Sequence, residues 1–306
     1  MGRYFFRRVV QTIPLMLIIS ILVFLFIHMI PGDPARTLAG KDAEVSEVEA
    51  IREELGLNDN IFVQYFKYMG RIFKGDFGQS YKSGIPTTQL IGQRMQNTIK
   101  LVLSAMLWAP LLGILLGVIS AVNRGRFLDH LLMFIAILGL SAPGFWLGLM
   151  GIQIFAVQLG YLPVSGLNGW KGLILPSFVM GIGCMAEMAR YARSSMLDVM
   201  REDYVRTARA KGQVERKVIF FHAFRNALIQ IVTILGLQIG GLLSGSVLTE
   251  TVFSIPGIGR LLVDSIFFRD YPVIQALLML FAFQYVVINL IVDVLYGFIN
   301  PKIRLE

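Results

Sequence analysis

Side-chain sets that make and break bonds are missing from this sequence. Gly40-Lys41 is its one Gly-Lys pair, and position 35 holds Ala where a phosphate-cradling G-x4-G-K loop needs Gly. Neither H-E-x-x-H nor G-x-S-x-G occurs. His28, His130 and His222 are scattered without metal-ligand spacing. The one cysteine, Cys184, sits in an apolar run and reads as a small buried residue. The segment that stands out is 194–228, and its residues suit recognition rather than catalysis. Asp203 is placed to cap a short helix over 204–211. Arg209 and Lys211 fall in its last turn, where cations suit the helix dipole. Gly212 is placed to end it in a left-handed cap. A second helix, from about Val214, leads back into an apolar run. Small Ala208 and Ala210 would let another surface approach, with the basic residues fixing its orientation. Anionic lipid or a topogenic role explains the charge. Neither explains the ordered Asp, Ala, Ala, Gly arrangement, which favours a docked partner.

The elements that must hold this segment are apolar. Of 306 residues, 55% are hydrophobic and 16% charged. A soluble domain averages about 25% charged. The net charge of +8 would suggest nucleic acid on a soluble chain. In a membrane protein it reports loops kept on the cytoplasmic side, so membrane lipid is the expected surrounding and nucleic acid is not a partner. Six stretches are long enough to cross a core about 30 Å thick: 9–30, 99–122, 131–159, 173–188, 227–248 and 273–298. The first is too long for a signal-peptide core and lacks a cleavage pattern. Ser141-Ala142-Pro143-Gly144 interrupts the third, which predicts a kink or break. Sixteen of the 28 basic residues lie in 1–8, 123–130, 189–226 and 299–306. That bias puts both termini in the cytoplasm. The expectation is an all-α integral membrane protein of six transmembrane helices. Its parts are an N-terminal helix (1–30), an extracytoplasmic segment (31–98), a five-span core (99–298) with the loop 189–226, and a tail (299–306).

Segment 31–98 reads as soluble. An acidic helix is expected over 45–55, with Ser46 as its cap and Gly56 as its stop. An amphipathic, aromatic helix follows over 60–73; the segment reads as a cap packing on the membrane surface or on the chain's own helices, ahead of a docking or gating element facing a partner outside. Inside the spans, Glu187 is placed to pair with Arg190, and Asp293 to face the bundle. Polar residues there read as interhelical glue. Gly236, Gly240, Gly241 and Gly245 suit close helix packing.

One resemblance covers nearly the whole chain. Residues 202–212 (Glu-Asp-Tyr-Val-Arg-Thr-Ala-Arg-Ala-Lys-Gly), with His222 and Arg225-Asn226-Ala227-Leu228, resemble the EAA-type coupling loop of ATP-binding-cassette importer permeases. The likeness is to the first of the two permease paralogues in the dipeptide, oligopeptide and nickel branch, which includes glutathione systems. It extends to Pro31-Gly32-Asp33-Pro34, Gly75-Asp76-Phe77-Gly78, Ser141-Ala142-Pro143, Glu250-x-Val252-Phe253-Ser254-x-Pro256-Gly257-x-Gly259-Arg260, Arg269-Asp270-Tyr271-Pro272-Val273 and Asn300-Pro301-x-Ile303-Arg304. The general pattern's Glu-Ala-Ala is Arg206-Thr207-Ala208 here, as in the peptide branch. The resemblance implies the type I importer permease fold in a bacterial plasma membrane. It implies a homologous second permease, two cytoplasmic ATPases that bind ATP and Mg2+, and a solute-binding protein outside. The chain itself would hold no cofactor and no metal and would be no enzyme. Glu202, Asp203, Tyr204, Arg206, Thr207, Ala208, Arg209, Ala210, Lys211 and Gly212 would couple it to the ATPase. A secondary transporter would instead show midplane ionisable residues and inverted repeats; an intramembrane protease would show a catalytic pair.

Overall fold

A computed structural model describes residues 2–29, 32–40, 42–167 and 169–299. Among them the backbone is helical, with one isolated β-bridge between Gln79 and Pro86. Pro31, Lys41 and the Asn300-to-Arg304 motif lie outside the described residues.

Among the described residues five helices are long and apolar enough to cross a bilayer, and a bent pair passes the same test when taken together, a broken span or a re-entrant loop. They are α1 (Gly2–Met29), α5 (Thr87–Val122), the pair α6 (Phe127–Ser141) and α7 (Gly144–Gly151), α8 (Lys171–Val199), α11 (Arg225–Val252) and α13 (Tyr271–Ile299). The pair bends by 93°. Pro143 supplies no N–H, and Ala142 before it is forced extended at φ −82, ψ 127. This is the break expected at Ser141-Ala142-Pro143. Beyond it α7 runs on as a π-helical turn, Ile152–Gln158.

Two boundaries differ from expectation. α5 starts at Thr87, twelve residues before the apolar stretch, because Pro86 sets its start and nothing polar within it breaks a helix. α8 continues past Met188 to Val199, so the first third of segment 189–226 is helix rather than loop. Hydropathy marks the apolar stretch, not where a helix ends.

Helix α8 is the hub. Its Cys184, Met188, Ala192 and Met196 share one buried core with Leu101, Val102, Ala105 and Ala109 of α5. Gly113 and Gly117 let the two backbones meet: a Cβ on either would stand 2.4 Å from a carbonyl oxygen of α8. Ala186 and Ala189 take α6 through Ala136. Gly236 of α11 receives Val292 of α13, one of the close packings expected of that glycine cluster. Outward-facing Leu15, Leu22, Leu103, Leu107 and Leu111 are exposed, as hydrocarbon requires.

The segment before α5 forms α2 (Pro34–Ala39), α3 (Val45–Glu54) and α4 (Ile61–Phe73). Glu44, not Ser46, caps α3, through a reciprocal box with Glu47. Gly56 ends that region in a left-handed turn, φ +67. Asn60 caps α4. α4 packs on α1: Tyr65 meets Ser20 at 2.8 Å, His28 meets Gln64 at 3.1 Å, and Phe24 contacts the rings of Tyr65 and Tyr68. A further helix, α12 (Ile258–Phe268), fills the connection between α11 and α13.

Candidate functional site

Helix α9 (Asp203–Ala210) follows α8 after a short turn. Its cap is Glu202, extended and without a side-chain bond; Asp203 is its first residue, with the side chain 96% exposed. The expected cap is thus shifted by one position. Val205 and Ala208, three apart, lie on one face and are buried against Val218, Ile219 and Ala223. Ala208 therefore faces the protein's own core, not an approaching surface. Glu202, Tyr204, Arg206, Thr207, Arg209, Ala210, Lys211 and Gly212 are exposed. Desolvation, then the negative Glu202, push the Tyr204 phenol above its ordinary range, so it stays a neutral hydroxyl.

The C-terminus closes tightly. Gly212 N–H donates to Arg209 O at 2.9 Å and Gln213 N–H to Ala208 O at 3.3 Å, with Gly212 at φ +73. That is the Schellman arrangement, and it favours glycine. Arg209 grips Glu215 of α10 (Glu215–Lys217) at 2.8 Å, and Gln213 meets His222 at 2.7 Å. His222 lies in a π-helical stretch, Val218–Phe224, that runs directly into α11. The result is a short helix anchored on one face, stapled at its end and polar outside. It holds no nucleophile–base pair. No metal-holding cluster occurs among the described residues. What this shape offers is a stiff contact surface continuous with two membrane helices.

A charged knot braces the same end of the bundle. Arg193 of α8 donates to both oxygens of Asp129, at 2.7 and 2.8 Å. Gly125 N–H adds a bond at 2.9 Å and Ser120 hydroxyl donates a third side-chain bond. Asp129 is 1% exposed. The knot ties α5, α6 and α8 six residues before α8 ends. Sequence reasoning passed over it; an aspartate opening an apolar run two residues after Phe127 was the available signal.

At the opposite end the remaining motifs converge. Asp270 accepts from Ser80 hydroxyl and from Tyr81 N–H at 2.9 Å. Gly78 abuts Pro272, and Gly32 abuts the Arg269 guanidinium. Glu250 is fully buried; it accepts from Thr98 hydroxyl at 2.6 Å and Arg260 N–H at 2.9 Å, while Ile258 N–H bonds Thr98 at 3.0 Å. A Cβ on Gly257 would fall 2.3 Å from that carboxylate. This explains why Glu250, Gly257 and Gly259 occur together: the glutamate seals the α11–α12 corner and the glycines make room for it. Glu250→Gln puts an amide N–H2 among donors. It is expected to lower stability in detergent by about 2 kcal/mol, read as an earlier thermal unfolding midpoint.

The intramembrane polar residues bond between helices, as expected, but one expected pair does not form. Glu187 does not pair with Arg190; it accepts from Gln238 of α11. Asp293 meets Arg8 of α1 at 3.1 Å.

Comparisons with known proteins agree with this geometry. The family described as binding-protein-dependent transport system inner membrane component matches residues 113–305. Its N-terminal counterpart matches residues 1–106. The glutathione transport system permease protein GsiC of Escherichia coli strain K12 is 48% identical over 304 residues, 99% of each chain. The protein of that name in Salmonella paratyphi A is equally similar, at 48% over the same lengths. A solved inward-facing structure of the MetNI methionine ABC transporter superposes with a TM-score of 0.61 at 17% identity, covering 69% of this chain and 97% of that one. Members of this family are non-catalytic membrane subunits, with ATP hydrolysed by a separate protein. The chain is thus a multi-pass inner-membrane permease subunit of an ATP-binding-cassette importer, in the dipeptide, oligopeptide, nickel and glutathione branch of the binding-protein-dependent transport family.

Proposed function

We propose that this subunit carries a small peptidic solute inward by ATPase-driven alternating access, and that α9 is the element the ATPase grips. The observation that supports the second part is the anchoring of α9. Its inner face is locked to the core and its end is stapled, so a push on its outer face moves α8 and α11 with it. Such coupling needs two states that the partner contacts differently. The exposed residues Glu202, Asp203, Tyr204, Arg206, Thr207, Arg209, Ala210, Lys211 and Gly212 form the contact face, with Ala208 as its inward anchor. ATP and Mg2+ belong to two partner ATPases. A homologous second permease completes the pathway, and a solute-binding protein delivers cargo to the side bearing α2–α4. Both termini then lie in the cytoplasm with α9.

The 48% identity to glutathione permeases makes a small γ-linked peptide the first cargo to test, ahead of ordinary di- and oligopeptides and of nickel chelates. Uptake of labelled glutathione and of dipeptides by the reconstituted system decides between them.

Gly212→Val tests the docking role. A β-branched residue in the left-handed region costs about 1–2 kcal/mol, and the added Cβ meets no neighbour within 4 Å. The loss therefore falls on the cap of α9 and not on the core. ATPase co-purification and uptake are expected to fall about tenfold, and Gly212→Asn, which tolerates this conformation, to restore most of both. Full assembly and uptake in the Val variant would sink the docking role.

A further inference from the structure

Helix α8 has three faces. One is buried on α5 and one on α6. The third carries Gly183, Glu187, Arg190, Tyr191, Ser194 and Asp198, each half-buried or exposed. Of these, Gly183 and Glu187 lie inside the apolar stretch 173–188, and an ionisable residue there faces a bundle interior or a water-filled passage. Glu187 lies six residues inward from the Asp129–Arg193 knot, about 9 Å along the axis. Among the described residues no cation pairs with it, and Gln238 occupies only one of its oxygens. There is room around it. A Cβ on Gly183 would meet nothing within 4 Å, and one on Gly241 would meet only Gln238, at 3.8 Å. Past Gly241 a cavity of about 170 Å3 opens between α7, α8 and α11, lined by Gly144, Phe145, Val179 and Met180.

We propose that Glu187, oriented by Gln238, is a station on the translocation pathway that receives the ammonium group of the passing solute. The chemistry is that of a carboxylate with no cation partner among the described residues. It attracts one positive charge, its single amide partner leaves an oxygen open, and a free amino group fits there. Gln238 bonds the carboxylate from the neighbouring helix, so relative motion of α8 and α11 changes the site between states. This rests on the importer reading, whose cargo, a peptide or glutathione, carries such an amine.

The chain's sole cysteine provides a clean background. In the assembled transporter, Cys184→Ser with Gly183→Cys places a thiol one turn from Glu187. Small cationic and anionic thiosulfonates of equal size are compared in membranes, with and without ATP. The cationic reagent is expected to react about tenfold faster or more. That preference should vanish with Glu187→Gln and persist with Glu187→Asp. Uptake should fall about tenfold in Glu187→Gln while ATPase stimulation by loaded binding protein stays. Failure of either reagent to reach the thiol in any nucleotide state, or equal rates with Glu187 present, overturns the proposal. So does joint loss of uptake and ATPase stimulation, which marks a structural role. If the unsubstituted transporter takes up no peptidic solute, the cargo reading fails, and the thiol rates still decide the site.

Discussion

Replacing Asp129 by Ala is expected to destabilise the bundle by about 3 kcal/mol. The carboxylate is 1% exposed and holds four donor groups: two on Arg193, one on Ser120 and the Gly125 N–H. Removing one partner of a buried ion pair leaves the other charged and unsatisfied, at about 3–5 kcal/mol. Arg193 keeps 30% of its side chain exposed, so water relieves part of that loss and the lower figure applies. Thermal unfolding in detergent reads it as a lowered midpoint. Asp129→Ala with Arg193→Met should recover much of the loss, because the orphaned charge is gone and the stem still packs. A double-mutant cycle isolates the pair term. Function should suffer beyond stability. The knot fixes α8 two turns before it hands over to α9, so loosening it lets the contact helix move without the bundle. ATPase activity that no longer tracks uptake is the expected signature. An unchanged midpoint in Asp129→Ala would show the knot to be idle.

Different parts of this structure were legible for different physical reasons. Six spans could be counted because a hydrocarbon core tolerates few charges. Their ends could not, since the helices run on to Thr87 and Val199, beyond the apolar stretches. The break before Gly144 was readable because Pro143 acts locally. So was Gly212, whose left-handed cap is a property of the residue itself. The rotation of α9 was not read correctly. Its buried side is chosen by Val205 docking on Val218 and Ile219, contacts no local rule reveals, although Val205 and Ala208 at a three-residue spacing hinted at the inner face. Long-range pairs were out of reach. Asp129 finds Arg193 64 residues away and Glu250 finds Thr98 152 residues away. The recognisable motif around Glu250 named a family without saying what the glutamate does. Its burial, and the collision a Cβ on Gly257 would make, supply the reason. Glu187 was assigned to the nearest cation because i, i+3 spacing is all a sequence offers; the fold gives it Gln238 from another helix.

Leucine at Gly113 and Gly117 is expected to be the most damaging small-to-large change in the protein. The two glycines are one helical turn apart on α5, a G-x-x-x-G pair of the kind that lets membrane helices touch. A Cβ at Gly113 would lie 2.4 Å from Met185 O and 2.7 Å from Met188 Cβ. At Gly117 it would lie 2.4 Å from Ala189 O and 2.7 Å from Ala192 Cβ. The obstacles are mostly backbone of α8, which cannot swing aside as a side chain can. The helices must separate, and the core formed by Leu101, Ala105, Ala109, Met188 and Ala192 then loses its fit. Overpacking costs about 1–3 kcal/mol in ordinary cores. Against backbone on both turns, each Leu variant should exceed about 3 kcal/mol and the double variant should fail to accumulate as folded protein. Alanine gives a graded test. Gly117→Ala still collides and should lower the unfolding midpoint. Gly92→Ala, on the same helix where a Cβ meets nothing within 4 Å, should raise it, since Gly in a helix interior costs about 0.5–1 kcal/mol relative to Ala. Equal effects at positions 92 and 117 would mean that α5 and α8 are not held at backbone contact. The stiffness that lets α8 carry force from α9 would then need another source.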